Sequence, residues 1–379
     1  YNDFGDGTAS PEPIRAFMEY AYNNWPGPQF SYVLLVGDSS YDPLNYLGAG
    51  ADYAIVPAEF AYRDIELGEV PSDNEFVADL DGSTDDLPDA HIGRMPAKTV
   101  EDVEAMVSKT VAYANASGGP WQRTMLFVSD NSDSTGDFNC LSEWLYQPEG
   151  NICVGYSGAL YEGRGIVPQE ALVVPSYLPQ AASVEDVLRI RDSIVNYVNG
   201  PGALVVQYIG HGARIAWAGE SSGVWSLYRR LGPGNYVNDL DLLTAEERFP
   251  FVLPWTCWEG YFVNPYEEAI AEESMRNAHG WIGSLSPVGL DVATAHDMMA
   301  EGFFKKLHGV EGETPSAEMG ELALAAKANL VGGPSSWDRL IYTYMLYGDP
   351  AIKLQVDPCL QDDSVACAGS RLQLPLVSR

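Results

Sequence analysis

The chain has 379 residues, of which 46% are hydrophobic and 20% are charged, a composition typical of a folded globular protein. Its 53 acidic residues outnumber its 21 basic residues, which gives a formal net charge of −32. Such a surface repels nucleic acids and anionic membranes, so we expect neither as a partner. The sequence has no apolar run of about 20 residues, which excludes a membrane-spanning helix.

The chain begins without the basic and apolar regions of a signal peptide. We expect it to start after processing or to be a piece of a longer precursor, with further segments before Tyr1. Residues 11–25 have apolar positions at helical spacing and predict an amphipathic helix that leads into a strand at 32–36.

Seven carboxylates crowd the segment from Asp73 to Asp89 around Gly82. Their oxygen ligands suit calcium, although their spacing does not fit the twelve-residue EF-hand loop. Two interpretations stay open, a solvated acidic loop and a structural calcium site. For the calcium site we name five ligands: Asp73, Glu75, Asp79, Asp81 and Asp86.

The double glycine Gly118-Gly119 is the predicted boundary between two α/β units. It follows a helix that Thr99 should cap and whose apolar stripe includes Val100, Met106, Val107 and Val111. We therefore divide the chain into residues 1–119, 120–356 and a tail, 357–379.

The second unit should begin with a strand at 124–129, followed by a polar loop that contains Asp130 and Asp133. Residues 134–180 read as irregular. The remaining patterns predict helices and strands in alternation. The helices are expected at 184–199, 239–247, 264–279, 293–307 and 316–330, and the strands at 203–209, 251–256, 281–285 and 351–356.

Two of these strands end in residues that can carry chemistry. The apolar run 203–209 ends in Gly210-His211-Gly212, and the run 251–256 ends at Cys257. Reactive groups collect at the carboxyl ends of strands in α/β sheets, so neighbouring strands would bring the thiol and the imidazole together. Taken separately, each residue has a plain structural interpretation, as a hydrogen-bonded histidine and a packed cysteine. Together they predict a thiolate–imidazolium pair for nucleophilic catalysis.

The other four cysteines form two close pairs in sequence, Cys140 with Cys153 and Cys359 with Cys367. In an oxidising compartment each pair could close a short disulfide loop. Cys257 is the one left over. The count of five cysteines, four of them in close pairs, thus agrees with a reactive thiol at position 257.

The residues resemble those of the gingipain-type cysteine peptidases, relatives of caspases and legumains. Besides His211-Gly212 and Cys257, the resemblance covers 32–38, 72–96, 281–284 and 347–350, in that order along the chain. It implies an α/β, caspase-like and gingipain-like fold, with mostly parallel sheets flanked by helices in two subdomains. It also implies a secreted or cell-surface bacterial enzyme that cleaves protein or peptide substrates through a thioester.

The resemblance further implies roles for individual residues. The backbone N–H groups of Gly212 and Cys257 would form the oxyanion hole. Asp130 or Asp133 would line the primary pocket and select a basic P1 side chain. We also assign Ile209, Trp255 and Leu290 to the pocket walls, although the bulk of Ile209 and Trp255 argues against a basic P1 residue and Leu290 stands where the resemblance implies an aromatic wall. No third catalytic residue is identified from the sequence.

Two alternatives use the same fold. One is a sortase-like transpeptidase of a secretion system, in which an amine rather than water resolves the thioester. The other is a non-enzymatic, calcium-binding surface protein. The intact His211 and Cys257 argue against the second.

Overall fold

The structure is a computed structural model that describes residues 1–50, 54–219, 223–290, 295–362 and 364–367. Within them, the helices are α1 (Pro11–Asn24), α2 (Val100–Ala114), α3 (Phe138–Glu143), α4 (Val184–Asn199), α5 (Ile270–Arg276), α6 (His296–His308), α7 (Met319–Ala328) and α8 (Asp338–Thr343). The strands of the main sheet are β1 (Tyr32–Val36), β4 (His91–Met95), β5 (Thr124–Ser129), β8 (Leu172–Tyr177), β9 (Val205–Ile209), β15 (Phe251–Trp255), β16 (Gly283–Pro287) and β17 (Tyr344–Tyr347). Short hairpins and ribbons use β2 (Phe60–Asp64), β3 (Gly68–Pro71), β6 (Ile152–Val154), β7 (Leu160–Glu162), β10 (Gly212–Ala213), β11 (Ala216–Trp217), β12 (Trp225–Ser226), β13 (Arg229–Gly232) and β14 (Asn235–Val237).

The main sheet has eight strands in the order β1-β4-β17-β16-β15-β9-β5-β8. All neighbouring pairs are parallel except β16 with β17. The sheet therefore consists of two parallel blocks that run in opposite directions. The predicted boundary at Gly118-Gly119 lies in the connection between α2 and β5, and therefore between β4 of the first block and β5 of the second. The carboxyl ends of β16, β15, β9 and β5 lie side by side at one edge, and this edge positions the candidate site.

Four strands of the second block, β5, β9, β15 and β16, are completely buried, as expected for strands covered on both faces, whereas the edge strand β8 is only partly buried. The apolar run that predicted β9 is continuous because neither face meets water. Aromatic side chains, including the stacked pair Phe251 and Phe303, pack between the sheet and α6.

The predicted helix starts at Thr99 and Ser183 are confirmed. Each residue forms a reciprocal capping box with an aspartate three positions later. The predicted apolar stripe of α2 is partly wrong, because Val100, Val107 and Val111 are 69%, 47% and 57% exposed.

The buried face of α2 instead carries a lysine. The Lys109 ammonium lies 2.8–3.1 Å from three backbone carbonyl oxygens at the end of α5. It supplies donors for carbonyls that have no partner within their own helix. A prediction of the buried face that uses apolar residues alone misses this interaction.

Four other element predictions are wrong in whole or in part. The helix expected at 239–247 is a single 3₁₀ turn, Asp239–Leu242, because buried Asp239 accepts hydrogen bonds from Arg229 and from the Ser226 amide. The expected strand at 351–356 is not formed, and β17 takes its place earlier in the chain. The segment 134–180, expected to be irregular, contains α3 and three strands. The helix expected at 264–279 is present only as α5.

Both predicted disulfides are confirmed. Cys140 bonds to Cys153 and Cys359 bonds to Cys367, with Cα–Cα distances of 5.7 and 5.1 Å. No helix among the described residues is both long and apolar enough to cross a membrane.

Candidate active site

Adjacent strands bring His211 and Cys257 to the same edge of the sheet. β9 and β15 pair in parallel, with Ile209 opposite Trp255 at the last rung. His211 and Cys257 each follow two residues later, so they leave the sheet side by side. This placement is the one that the two strand-end motifs predict.

The glycines beside His211 are required by close packing. A Cβ on Gly210 would lie 2.3 Å from the Asp130 Cβ, and Gly210 has a φ of +152°. A Cβ on Gly212 would lie 2.3 Å from the Thr256 hydroxyl oxygen. The chain around His211 is thus pressed against both neighbouring loops, and any side chain at these positions would push them apart.

The imidazole of His211 has a carboxylate partner. Its Nε2 lies 2.7 Å from Oδ2 of Asp133, and its ring meets the edge of Phe138 at a centroid distance of 5.5 Å. Because Nε2 is engaged, Nδ1 is the nitrogen left to exchange a proton with a thiol. The side chain is 57% exposed, so substrate can reach it.

Asp133 is held by its own loop. Its Oδ1 accepts a hydrogen bond of 2.7 Å from the Thr135 amide. Partial burial acts to raise the pKa of Asp133, but the hydrogen bonds from His211 and Thr135 outweigh it and lower the pKa below its ordinary value. Asp133 is therefore an anion that can orient the ring and stabilise the imidazolium form. The sequence assigned this residue to the pocket and identified no third catalytic residue.

The Asp130 side chain also contacts His211, at its backbone amide. Its Oδ2 accepts from the His211 amide at 3.2 Å, and its Oδ1 accepts from the Asn131 amide at 2.8 Å. The side chain is only 6% exposed. Burial raises the pKa of Asp130, and the two amide hydrogen bonds offset this in part.

The backbone carbonyl of His211 accepts two more hydrogen bonds. The Tyr208 hydroxyl donates at 2.6 Å and the Ala218 amide at 2.8 Å. Together with the hydrogen bond that the His211 amide donates to Asp130, they fix the main chain of the histidine from three sides. The arrangement pre-organises the base before substrate arrives.

Cys257 is half-buried and forms no disulfide. It precedes Trp258, which has a φ of +61° and whose amide donates to the Gly289 carbonyl at 2.9 Å. A bulky residue rarely adopts a positive φ, and such strain concentrates at functional sites. The turn therefore presents the thiol at a tightly constrained position.

Two buried tyrosines lie within electrostatic range of the Cys257 thiol. A negative charge on Cys257 would raise the pKa values of buried Tyr156 and Tyr208, although burial is the main reason that both are high. The Arg214 guanidinium lies over the Trp258 ring, 5.1 Å from its centroid.

Of the predicted pocket walls, Ile209 and Trp255 are core residues. They are 1% and 0% exposed, and the Trp255 indole donates to Gln207 at 3.1 Å. Both belong to strands whose two faces are covered, so neither presents its side chain to an open pocket. Leu290 follows β16 at the correct edge, where its amide donates to Asp64 of the β2–β3 hairpin. The roles of the Gly212 and Cys257 amides in an oxyanion hole stay predictions.

The five predicted calcium ligands do not converge. Among the described residues, no group of three or more His, Cys, Asp or Glu side chains is arranged to hold a metal ion. Four of the five side chains have other partners. Asp73 pairs with buried Arg94 at 2.7 Å, Glu75 pairs with Arg63 at 2.9 Å, Asp86 accepts from the Tyr342 hydroxyl, and Asp81 accepts from the Ser83 amide. These side chains therefore do not form a ligand set in the described part of the chain, and the calcium site stays a prediction.

Comparisons with known proteins agree with this geometry. The model of peptidase family C25 matches residues 1–355. No curated protein matches the sequence.

Solved structures with the same fold include that of the Arg-specific cysteine proteinase gingipain R (RgpB), with a TM-score of 0.66 and 18% identity, covering 93% of this chain and 70% of that one. The complex of the Porphyromonas gingivalis RgpB pro- and mature domains matches with a TM-score of 0.64 and 17% identity, covering 93% and 72%. A structure described only as a protease matches with a TM-score of 0.63 and 15% identity, covering 90% and 69%.

Proposed function

The chain belongs to peptidase family C25 and is a cysteine peptidase, and we propose that it is an endopeptidase in which Cys257 attacks the peptide carbonyl and His211 is the base. The observation that carries this proposal is the placement of both residues just beyond the paired ends of β9 and β15. Asp133 binds Nε2 of the imidazole, which leaves Nδ1 for the thiol. Of the cysteines, only Cys257 lies outside a disulfide.

The proposed cycle follows from this placement. Nδ1 of His211 takes the thiol proton, and the Cys257 thiolate attacks the carbonyl carbon to give a tetrahedral oxyanion. The imidazolium then donates its proton to the leaving amine, which leaves a thioester on Cys257. Water, deprotonated by His211, hydrolyses the thioester and restores the enzyme. Asp133 stabilises the imidazolium in both halves of the cycle.

A basic P1 side chain requires an anion near the thiol, and Asp130 and Asp133 are already engaged by His211. Asp297 is a further candidate. It is 3% exposed and accepts from the Tyr161 hydroxyl at 2.7 Å. A negative charge on Asp297 would raise the pKa of Tyr156, and so would one on Cys257, so both groups lie within electrostatic range of this tyrosine. Burial raises the pKa of Asp297 to about 6, so the group is largely ionised at neutral pH, and a bound cation would favour that form.

We also place the enzyme outside the cytoplasm, at the cell surface or secreted. The support for this is the pair of disulfides, since such bonds persist in oxidising compartments.

Hydrolysis of fluorogenic peptides tests the proposed function. We expect turnover by the wild type, with peptides that carry Arg or Lys at P1 cleaved faster than matched peptides with Leu. Cys257→Ala should be inactive. Asp297→Asn should lose the preference for basic P1 while still cleaving the Leu peptide, whereas Asp130→Asn should lower kcat for all peptides alike. A wild type that cleaves no peptide would contradict the proposal. Mass spectrometry of products formed with an added amine separates hydrolysis from transpeptidation.

A further inference from the structure

A buried carboxylic acid lies two residues after the nucleophile and has no part in the cycle proposed above. Glu259 is 1% exposed, and its Oε2 accepts a hydrogen bond of 3.2 Å from the Trp217 indole nitrogen. Burial raises the pKa of Glu259 to about 7, an effect that the Ser286 hydroxyl and the Trp217 indole offset only in part. Burying such a group without strong compensation is unfavourable, so its presence here calls for a role.

Trp217 belongs to the loop that follows the catalytic histidine. It pairs with Gly212 in the β10–β11 hairpin and is fully buried. Its ring stacks on Tyr208, with centroids 4.8 Å apart and an angle of 4° between the planes. The Tyr208 hydroxyl donates to the His211 carbonyl at 2.6 Å. A continuous set of contacts therefore runs from Glu259 to the backbone of the base.

The residues that follow Cys257 are held just as closely. The Glu259 carbonyl accepts from the Ala271 amide at 3.2 Å, and the Gly260 amide donates to the Pro287 carbonyl at 2.8 Å. With the bond from Trp258 to Gly289, these contacts hold the chain that follows Cys257 against the end of β16. The Glu259 side chain starts from this rigid turn.

The strand pairing does not extend as far as the catalytic residues. The last rung between β9 and β15 is at Ile209 and Trp255, so His211 and Cys257 lie two positions beyond it. The bond between Glu259 and Trp217 joins the two loops above this point. A displacement of about 1 Å between reacting groups can cost 100-fold in rate, so such a cross-link has catalytic value.

We infer that Glu259 is a positioning residue that sets the separation of the Cys257 thiol and the His211 imidazole by bridging their loops through Trp217. This inference rests on the proposed catalytic roles of Cys257 and His211. It predicts that weakening the bridge lowers the rate of the chemical step more than it weakens substrate binding.

Three variants test the bridge. Trp217→Phe removes the indole donor while keeping an aromatic ring over Tyr208, and Glu259→Leu removes the acceptor. Glu259→Gln keeps an oxygen acceptor and should rescue. The matched control is Glu301→Gln, another buried glutamate, whose ion pairs are with Arg164 and Lys305 and not with either catalytic loop.

Two measurements are made on each folded variant, after titration of its active sites. We expect Trp217→Phe and Glu259→Leu to lower kcat by about ten-fold or more with KM changed by less than about two-fold. We also expect them to slow alkylation of Cys257 by iodoacetamide at pH 6, where reaction depends on the imidazolium partner. Glu259→Gln and the control should stay near wild type in both.

If the bridge variants melt at lower temperature but keep wild-type kcat and alkylation rates, Glu259 is structural only and the inference is wrong. Alkylation also separates this failure from that of the proposed function. A wild type that cleaves no peptide would contradict the peptidase proposal, and the pH 6 alkylation rates would still report on the bridge.

Discussion

Replacement of Asp133 by Asn is the sharpest test of the carboxylate that the structure adds to the catalytic pair. The amide cannot carry the charge that faces Nε2 of His211 at 2.7 Å, although it is nearly the same size. A hydrogen bond between charged groups contributes about 1.5–3 kcal/mol when shielded from water. The two side chains are 57% and 35% exposed, so we discount the effect to about 1 kcal/mol or slightly more.

We therefore expect Asp133→Asn to lower kcat/KM by about ten-fold, since 1.4 kcal/mol corresponds to a factor of ten. The hydrogen bonds of Asp133 keep its pKa below the ordinary value of about 4, so the wild-type carboxylate stays ionised in assays above about pH 5. The assay is the steady-state rate with one fluorogenic peptide at pH 7. Asp192→Asn, an exposed aspartate on α4 paired with Arg191, is the control. Full activity of Asp133→Asn, with an unchanged melting temperature, would refute the orienting role.

Three further predictions concern stability. Lys109→Met should lower the free energy of unfolding by about 3 kcal/mol in urea titrations, because three carbonyls lose their buried donor; a loss below about 0.5 kcal/mol would show that these bonds contribute little. Burial lowers the pKa of His308 to about 4, whereas the unfolded chain takes up the proton near pH 6.5. The contribution of His308 to the free energy of unfolding should thus be fully present above about pH 6.5 and be lost as the pH falls toward 4. The fall should be shallower in His308→Asn, and equal slopes would contradict this. Because Asp73, Glu75, Asp81 and Asp86 have other partners, a chelator should leave the melting temperature unchanged; a calcium-dependent rise that Asp81→Asn abolishes would support the calcium site.

The sequence predicted the elements that local signals define. β9 and β15 stand out because buried parallel strands need continuous apolar runs, and the starts of α2 and α4 stand out because capping uses neighbouring residues. The pairing of β9 with β15 followed from their equivalent endings. The disulfides followed from short cysteine spacings, and the two proposed catalytic residues from the glycine-flanked histidine and the fifth cysteine, which belongs to neither close pair.

Long-range partners account for what the sequence missed. Asp133 was recognised as a polar residue at a strand end, but only the fold places it against His211, 78 positions away. The acidic segment resembles a cation site until Arg94 and Arg63 are seen to pair with Asp73 and Glu75. Trp255 resembles a pocket wall because it adjoins Cys257, and its burial depends on layers contributed from elsewhere. In each case the residue types were interpreted correctly, but the contact that decides their role is made with residues distant in the sequence.

Covalent labelling of the thiol tests the central claim most directly, namely that Cys257 is a nucleophile activated by His211. The protein is treated with a peptidyl chloromethyl ketone that carries arginine at P1, digested without reduction and mapped by mass spectrometry. We expect a single adduct on Cys257, its formation slowed by about 100-fold or more in His211→Ala, and no adduct in Cys257→Ala. An adduct at another residue, or a labelling rate that does not change when His211 is removed, would contradict the account.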